Sequence, residues 1–581
     1  MKSLHLIRPY FKEKRIYIFM GLVFLIFVDF LQLLIPRVIK WAVDGLTTMS
    51  ITPIVLFYHA AYLIGIGLLI GIFRYGWRHC LIGLSRRVEE GIRNRLFAHL
   101  QTLPAVYFDK TTTGDLMAHA TNDIQHVRMA MGMGIVALTD AIVLGTAAIG
   151  FMLYINVRLA VYMLIPMPFI VIGARFFSKR MHRLYGQVQA AFSELTEAAR
   201  ERFAGIRTIK AYHMETEETA RFLKKSEEYI KRNLRLVRIT GSFFPMMLLL
   251  TNLSLAVVLF LGGRQTIYAI ITPGDFVAFI AYLGLLTWPM MALGWVTNLV
   301  QRGRASLDRI NRILETQPEI CDAPSAMLLH KPRGEIVFED VCFAYDSNET
   351  PVLNQINLIV RPGETLGIVG APGSGKTTLL SLLPRLYEVS RGRITIDNME
   401  IRSIRLKDLR SCISYMPQEP FIFAGTIRQN ITLGDPQITD DRLREATRKA
   451  FLYDTVQSFP HGFDTIAGEK GVVLSGGQKQ RVALARALVK DSSILVLDDP
   501  VSQVDAETAA EIINTIKALA GMRTILIVSH RISAVRFADK IIALDNGFIA
   551  AAGTHMELMA ESEYYAKTFR LQQIEEEYIA H

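Results

Sequence analysis

Cysteine is scarce: the 581 residues hold four, Cys80, Cys321, Cys342 and Cys412, and no two stand at CxxC spacing. That excludes a disulfide scaffold and a cysteine-ligated cluster, and the four read as reduced, structural thiols. Tracts of low complexity and repeats of about 20 to 50 residues are absent, so solenoids and propellers are excluded too. No small-residue cleavage site follows the basic opening Met1 to Arg15, and the apolar run after it is too long for a signal-peptide core. Insertion without cleavage is expected. Within segment 1–15, Leu4, Leu6, Ile7, Tyr10 and Phe11 are placed to form an interfacial helix, with an ordinary charged flank as the alternative.

What is abundant is apolar. Hydrophobic residues make up 51% of the chain, too much for a soluble enzyme, and the length calls for at least two domains, one of them in lipid. The net charge of +10 would suit nucleic acid, anionic lipid or the cytoplasmic side of membrane helices, and location decides between them. Lys and Arg crowd into 74–95 and 175–238, whereas short connectors carry isolated charges such as Arg158 and Arg264. This positive-inside pattern makes lipid the expected partner, not nucleic acid, and puts both termini in the cytoplasm.

About six apolar stretches approach the length of a bilayer span: 16–36, 53–73, 129–155, 159–177, 243–262 and 276–300. The connectors alternate between very short and long. The long ones, 76–128 and 178–240, are rich in Glu, Lys, Arg, Ala and Leu at helical spacing, and they predict helices continuing out of the membrane. Pro36, Pro166, Pro168, Pro245 and Pro289 should kink their spans. Asp29, Gln32, Asp140 and Asn252 lie within or near apolar runs; Asp29 is the best candidate for a cavity-facing residue, with pairing to another helix as the alternative. The predicted organisation is an interfacial segment (1–15), a helical membrane domain (16–302), a linker (303–333), and a soluble α/β domain (334–575) of alternating strands and helices.

The soluble part carries the chemistry. Gly370-Ala371-Pro372-Gly373-Ser374-Gly375-Lys376-Thr377, followed by Thr378, fits a phosphate-binding loop and stands where one must, after the apolar strand 366–369 and before a helical run. Its glycines let backbone N–H groups converge on phosphate oxygens at a helix N-terminus, Lys376 reaches the outer phosphates, and the Thr377 hydroxyl is offered to Mg²⁺. A second apolar strand, 494–497, delivers Asp498 at the sheet edge where magnesium coordination needs an oxygen anion. Between them, Leu474-Ser475-Gly476-Gly477-Gln478 can present N–H groups and a hydroxyl to a phosphate, or simply cap a helix.

Leu474 to Gln478 matches the signature motif of ATP-binding cassette proteins, and the other motifs follow in that family's order. The chain resembles ABC transporters, specifically bacterial multidrug-type exporters with fused membrane and nucleotide domains. The resemblance covers nearly the whole chain, including 107–116 and 201–212, which fall in the family's cytoplasmic loops. It implies that Tyr345 stacks on adenine, Gln418 senses Mg²⁺ and the membrane domain, Asp505 lies at the domain interface, His530 contacts the terminal phosphate, and Glu469 meets the cytoplasmic loops. ATP would be held between the phosphate loop of one subunit and Ser475 to Gln478 of the other. Drugs, lipids or hydrophobic peptides are the implied cargo, and a second half-transporter the implied partner.

One departure matters. Where the family places Glu after the strand aspartate as general base, this sequence has Asp499, one methylene short. A shortfall on the order of 1 Å can cost about a hundredfold in rate. The expectation is a heterodimer subunit with a weakened site of its own and an intact signature motif for its partner's. A slowly hydrolysing homodimeric exporter or flippase, or an ATP-gated module, is the alternative. A soluble ATPase acting on DNA or ribosomes is excluded by the apolar runs.

Overall fold

The computed structural model describes residues 5–165, 167–346, 350–468 and 474–580. The chain divides into two compact units, one of Met1–Gln101 with Thr113–Thr316, the other of Thr102–Thr112 with Gln317–His581.

The first unit is built from helices: α1 (Arg8–Glu13), α2 (Arg15–Thr47), α3 (Pro53–Leu100), α4 (Thr113–Ile155), α5 (Val157–Leu164), α6 (Met167–Ala204), α7 (Glu215–Ile267) and α8 (Pro273–Glu315). Among the described residues α2, α3, α4 and α7 are long and apolar enough to cross a membrane. The fourth expected span is divided at Ile165 between α5 and α6, with Pro166 outside the described residues, and the sixth forms part of the 43-residue α8. Helix starts follow local chemistry. Asn156 accepts from the Leu159 amide at 2.9 Å, and Thr272 and Asp275 cap each other around Pro273.

Polar links fasten the helices where apolar packing alone gives no register. Asp44 of α2 accepts from the Gly274 amide at 2.7 Å and the Thr272 hydroxyl at 2.9 Å. The buried Tyr282 hydroxyl donates to the Leu33 carbonyl at 3.0 Å. In the charged extensions, buried Asp123 of α4 accepts from Ser306 at 2.8 Å and from Nε of Arg309 at 2.9 Å, both on α8, and pairs with His119 at 2.7 Å. Burial raises the pKa of Asp123, but these hydrogen bonds outweigh it and bring it down to about 2. In the N-terminal segment Leu6 and Ile7 are buried, and Tyr10 sits so close to Gly91 that a Cβ there would clash with its ring. These apolar side chains are consumed by packing within the protein; Leu4 lies outside the described residues.

The second unit is α/β. Strands β1 (Ile336–Phe343), β2 (Leu353–Val360), β4 (Arg391–Ile396) and β5 (Met399–Glu400) form one antiparallel sheet in the order β2-β1-β4-β5. A six-stranded sheet has the order β12-β11-β3-β10-β9-β6, made from β3 (Thr365–Gly370), β6 (Ile413–Met416), β9 (Ile494–Asp498), β10 (Thr524–Val528), β11 (Lys540–Asp545) and β12 (Phe548–Gly553). All its neighbours run parallel except β11 and β12, and β7 (Gly425–Thr426) pairs with β8 (Ile466–Ala467) as a separate antiparallel ribbon. β3, β9 and β10 are buried along their whole length, which is why they read as unbroken apolar runs. The segment Thr102–Thr112, placed by sequence in the membrane domain, belongs instead to this unit: the Tyr387 hydroxyl donates to Asp109 at 2.9 Å, and Lys110 pairs with Asp346 at 3.1 Å.

Candidate functional site

Parallel strands end on the same side, so β3, β10, β9 and β6 deliver their following residues to one edge of the sheet. After β3 comes the loop Gly370 to Thr377, closing into helix α9 (Lys376–Leu382). Two of its glycines are obligatory. A Cβ on Gly370 would lie 2.3 Å from the Leu544 carbonyl oxygen, and Gly375 turns into α9 with φ of +98°. The Lys376 ammonium is buried and donates to the carbonyls of Gly370 at 2.9 Å and Ala371 at 2.8 Å. Burial lowers its pKa, against the charges of Asp498 and Asp499. The lysine is thus held on its own loop, with the two aspartates near enough to feel its charge.

Asp498 ends β9, fully buried, and receives a hydrogen bond from the Thr377 side chain. Its second oxygen, Oδ2, is buried with no hydrogen-bond partner. Burial, with the neighbouring Asp499 charge, raises the Asp498 pKa to about 6. A buried orphan carboxylate oxygen beside a phosphate loop fits a divalent cation, which prefers oxygen ligands.

Asp499 occupies the left-handed backbone region at φ +52° and is buried. Its amide donates to the Val528 carbonyl at 2.8 Å, and its Oδ1 accepts from the Ser529 hydroxyl at 3.1 Å. Buried Gln480 donates to the Asp499 carbonyl at 2.6 Å and accepts from the Gln503 amide at 2.8 Å. Ser529 and Gln480 are residues that motif reading passed over, since neither is close to Asp499 in sequence.

His530 follows β10 and is exposed, its carbonyl bound by Gln572 at 2.7 Å; it lines a groove shared with Asp505. Asp505 caps α11 (Ala506–Leu519), accepting from the Thr508 amide at 2.9 Å. Gln418 is exposed two positions beyond Met416, the β6 residue that pairs with Leu497 of β9. Tyr345 joins its hydroxyl to that of Thr378 at 2.9 Å, and its ring meets Phe343 and Tyr387 edge-on. The phosphate loop, Tyr345, Gln418, Asp498, Asp499 and His530 therefore share one edge of the unit.

Ser475 to Gln478 does not join that group through any hydrogen bond of the described residues. Ser475 caps helix α10 (Gly476–Leu488): its hydroxyl accepts from the Gln478 amide at 3.3 Å, and the Gln478 side chain accepts from the Ser475 amide at 2.9 Å. The segment packs on Gln503, whose carbonyl would lie 2.7 Å from a Cβ on Gly477. The cap is real, and the exposed Ser475 and Gly476 lie at a helix N-terminus suited to an anion. Glu469 lies outside the described residues.

Comparison with known proteins matches both halves. Residues 18–290 fit the family described as the ABC transporter transmembrane region, and residues 353–502 the family described as ABC transporter. The chain is 36% identical over 557 residues to a probable multidrug resistance ABC transporter ATP-binding/permease protein of Bacillus subtilis (strain 168), covering 95% of each. It is 34% identical over 489 residues to an ATP-dependent lipid A-core flippase of Syntrophus aciditrophicus (strain SB), covering 84% of this chain and 81% of the flippase. The structure of a bacterial Atm1-family ABC exporter with ATP bound superposes with a TM-score of 0.78 at 25% identity, covering 96% of this chain and 98% of the exporter. With a helical membrane unit, a phosphate loop on a parallel sheet and relatives over nearly its full length, this chain belongs to the ABC transporters, as an exporter of the multidrug and lipid type whose ATPase domain drives transport.

Proposed function

We propose that the chain is one half of a dimeric exporter that moves hydrophobic or amphipathic molecules across the cytoplasmic membrane by alternating access, and that its partner is a different half-transporter. Two nucleotide domains close on ATP, each sandwiching it between a phosphate loop and the other chain's Ser475-type signature segment. The higher affinity of the closed state for ATP shifts the membrane helices from inward-open to outward-open.

Within this chain Tyr345 stacks on adenine, and Gly370 to Thr378 wrap the phosphates. Lys376 exchanges its bonds to the neutral carbonyls of Gly370 and Ala371 for stronger, charge-assisted bonds to phosphate oxygens. Thr377, Gln418 and Asp498 are the residues that would hold Mg²⁺, which would supply positive charge to offset that of the phosphates. Asp499 orients the attacking water and His530 contacts the terminal phosphate; Asp505 is assigned to the interface with the partner's nucleotide domain, and Glu469 keeps the role that the family motif gives it.

The observation that carries the heterodimer reading is Asp499 itself. It is one methylene shorter than glutamate, Ser529 donates to its carboxylate, and Gln480 fixes its backbone carbonyl. A short base anchored in this way is ill placed to follow a water molecule. ATPase rates of the chain alone and with its neighbouring half-transporter test this. Asp499→Glu is expected to raise turnover at this site by about ten- to a hundredfold. Brisk hydrolysis by the lone chain, abolished by Asp499→Asn, would overturn the heterodimer reading.

A further inference from the structure

The loop that carries His530 leaves the sheet where β10 ends at Val528, so its backbone groups need partners outside the strand ladder. The first is close by: the Ser529 hydroxyl accepts from the Arg531 amide at 3.1 Å while it donates to Asp499. The next lies 40 positions on. Gln572 accepts from the Ile532 amide at 2.8 Å and donates to the His530 carbonyl at 2.7 Å. An amide side chain offers an acceptor and a donor in one plane, as a peptide group does, so a single glutamine serves the loop as a neighbouring strand would.

Helical spacing presents this glutamine. Helix α12 (His555–Glu561) is followed by α13 (Glu563–Ala580), on which Tyr565, Phe569 and Gln572 recur at i, i+4 and i+7 and so share one face. Tyr565 is fully buried, and Phe569 packs beside it against the cluster that also holds Ile532, Ala534 and Val535. His555 of α12 fastens both: its Nδ1 shares a hydrogen bond with the Tyr565 hydroxyl at 2.8 Å, and its ring meets that of Phe569 edge-on at 5.0 Å. Leu571 and Ile574, off this face, are exposed. The two aromatic side chains set the helix, and the helix aims Gln572 at the loop.

We propose that Gln572 is a positioning residue for His530, fixing the backbone on both sides of Arg531 so that the imidazole stands where the terminal phosphate of bound ATP arrives. The inference rests on the role given to His530 above and deepens it. The loop is tied at Ser529 from the sheet and at His530 and Ile532 from α13, whereas the imidazole itself makes no hydrogen bond among the described residues. The backbone is set and the side chain is left free for phosphate. Two neutral hydrogen bonds at a partly exposed place add little to stability, but a displacement on the order of 1 Å at a reacting group can cost about a hundredfold in rate. Gln572 also lines the groove that holds His530 and Asp505, so α13 reaches the site although it carries none of the nucleotide-binding motifs.

Single-turnover hydrolysis of radiolabelled ATP by the full chain in lipid nanodiscs, which reads slow rates directly, tests this. Gln572→Ala should lower the rate about tenfold, and Gln572→Glu at least as much, because a carboxylate accepts from Ile532 but cannot donate to His530. ADP lacks the terminal phosphate, so its affinity should stay within about twofold of wild type in both variants. His530→Ala should slow hydrolysis more than either, and adding Gln572→Ala to it should slow it no further, since a residue that acts only through His530 then has nothing left to place. A Gln572→Ala rate within about twofold of wild type, a loss of ADP affinity as large as the loss of rate, or penalties that multiply in the double variant overturns the proposal. If His530→Ala leaves the rate unchanged, the terminal-phosphate role of His530 falls and this inference with it. If Gln572→Ala alone leaves it unchanged, that role stands and only the inference is lost.

Discussion

Both units of the protein bury aspartates, and in each a carboxylate with an orphan oxygen can be set against one that is satisfied. In the nucleotide unit the orphan is Asp498, whose neighbour Asp499 is held by Ser529. In the membrane unit it is Asp29, while Asp123 is held by Ser306, Arg309 and His119. A folded chain rarely leaves a buried oxygen unpaired, because the desolvation cost is not recovered. The satisfied aspartates are tied into the architecture by hydrogen bonds that the orphan oxygens of Asp498 and Asp29 do not make. The contrast separates loss of function from loss of stability, and each can be measured by itself.

The largest effect is expected at Asp498. Asp498→Asn should lower ATPase activity of the assembled exporter's site at least about a hundredfold, since a metal-binding anion is lost. Its thermal stability without nucleotide should not fall, because no native hydrogen bond depends on the charge of Oδ2. The pKa adds a sign. With a folded value of about 6, above its ordinary range, protonated Asp498 stabilises the fold below pH about 4, and that contribution disappears as pH rises through about 6. Relative to Asp498→Asn, the nucleotide-free wild type should therefore lose up to about 3 kcal/mol between these limits. A flat difference, or one of opposite slope, would remove the orphan reading of Asp498.

Asp123 should behave in the opposite manner. Asp123→Ala removes the acceptor of Ser306 and Arg309 and should lower stability by about 1–3 kcal/mol, read as a reduced Tm in nanodiscs. ATP-analogue binding should be untouched. Its folded pKa of about 2 is depressed, so the stabilisation is complete above pH about 4 and is lost as pH falls through about 2. A variant that keeps the wild-type Tm would show that Asp123 is as poorly satisfied as Asp29, and the comparison would collapse.

What could be read before the structure follows from how local each signal is. The phosphate loop lies within eight consecutive positions, and Asp498 ends a strand so apolar that its burial on both faces was evident. Strand order and the convergence of β3, β10, β9 and β6 on one edge are non-local, and no single motif states them. Ser529 and Gln480 lie beside the singled-out His530 and Gln478, but they reach Asp499 from 30 and 19 positions away, a contact that no local pattern states. The membership of Thr102–Thr112 in the second unit was equally hidden: the residues that dock it, Tyr387 and Asp346, lie far along the chain. At the N-terminus, apolar spacing correctly indicated a helix but could not say whether lipid or protein would cover Leu6 and Ile7.

The smallest effect tests how firmly Asp499 is held. Ser529→Ala deletes one hydrogen bond to a buried carboxylate, so stability should fall by about 0.5–1.5 kcal/mol. If anchoring by Ser529 contributes to slow turnover, the same change should raise ATPase activity at this site by a few-fold, and Asp499→Glu with Ser529→Ala should exceed either alone. If the missing methylene is the whole cause, Ser529→Ala leaves the rate unchanged and only Asp499→Glu moves it. The double-mutant cycle on turnover thus divides chain length from tethering, and it also shows whether a satisfied aspartate next to an orphan is kept satisfied at the expense of catalysis.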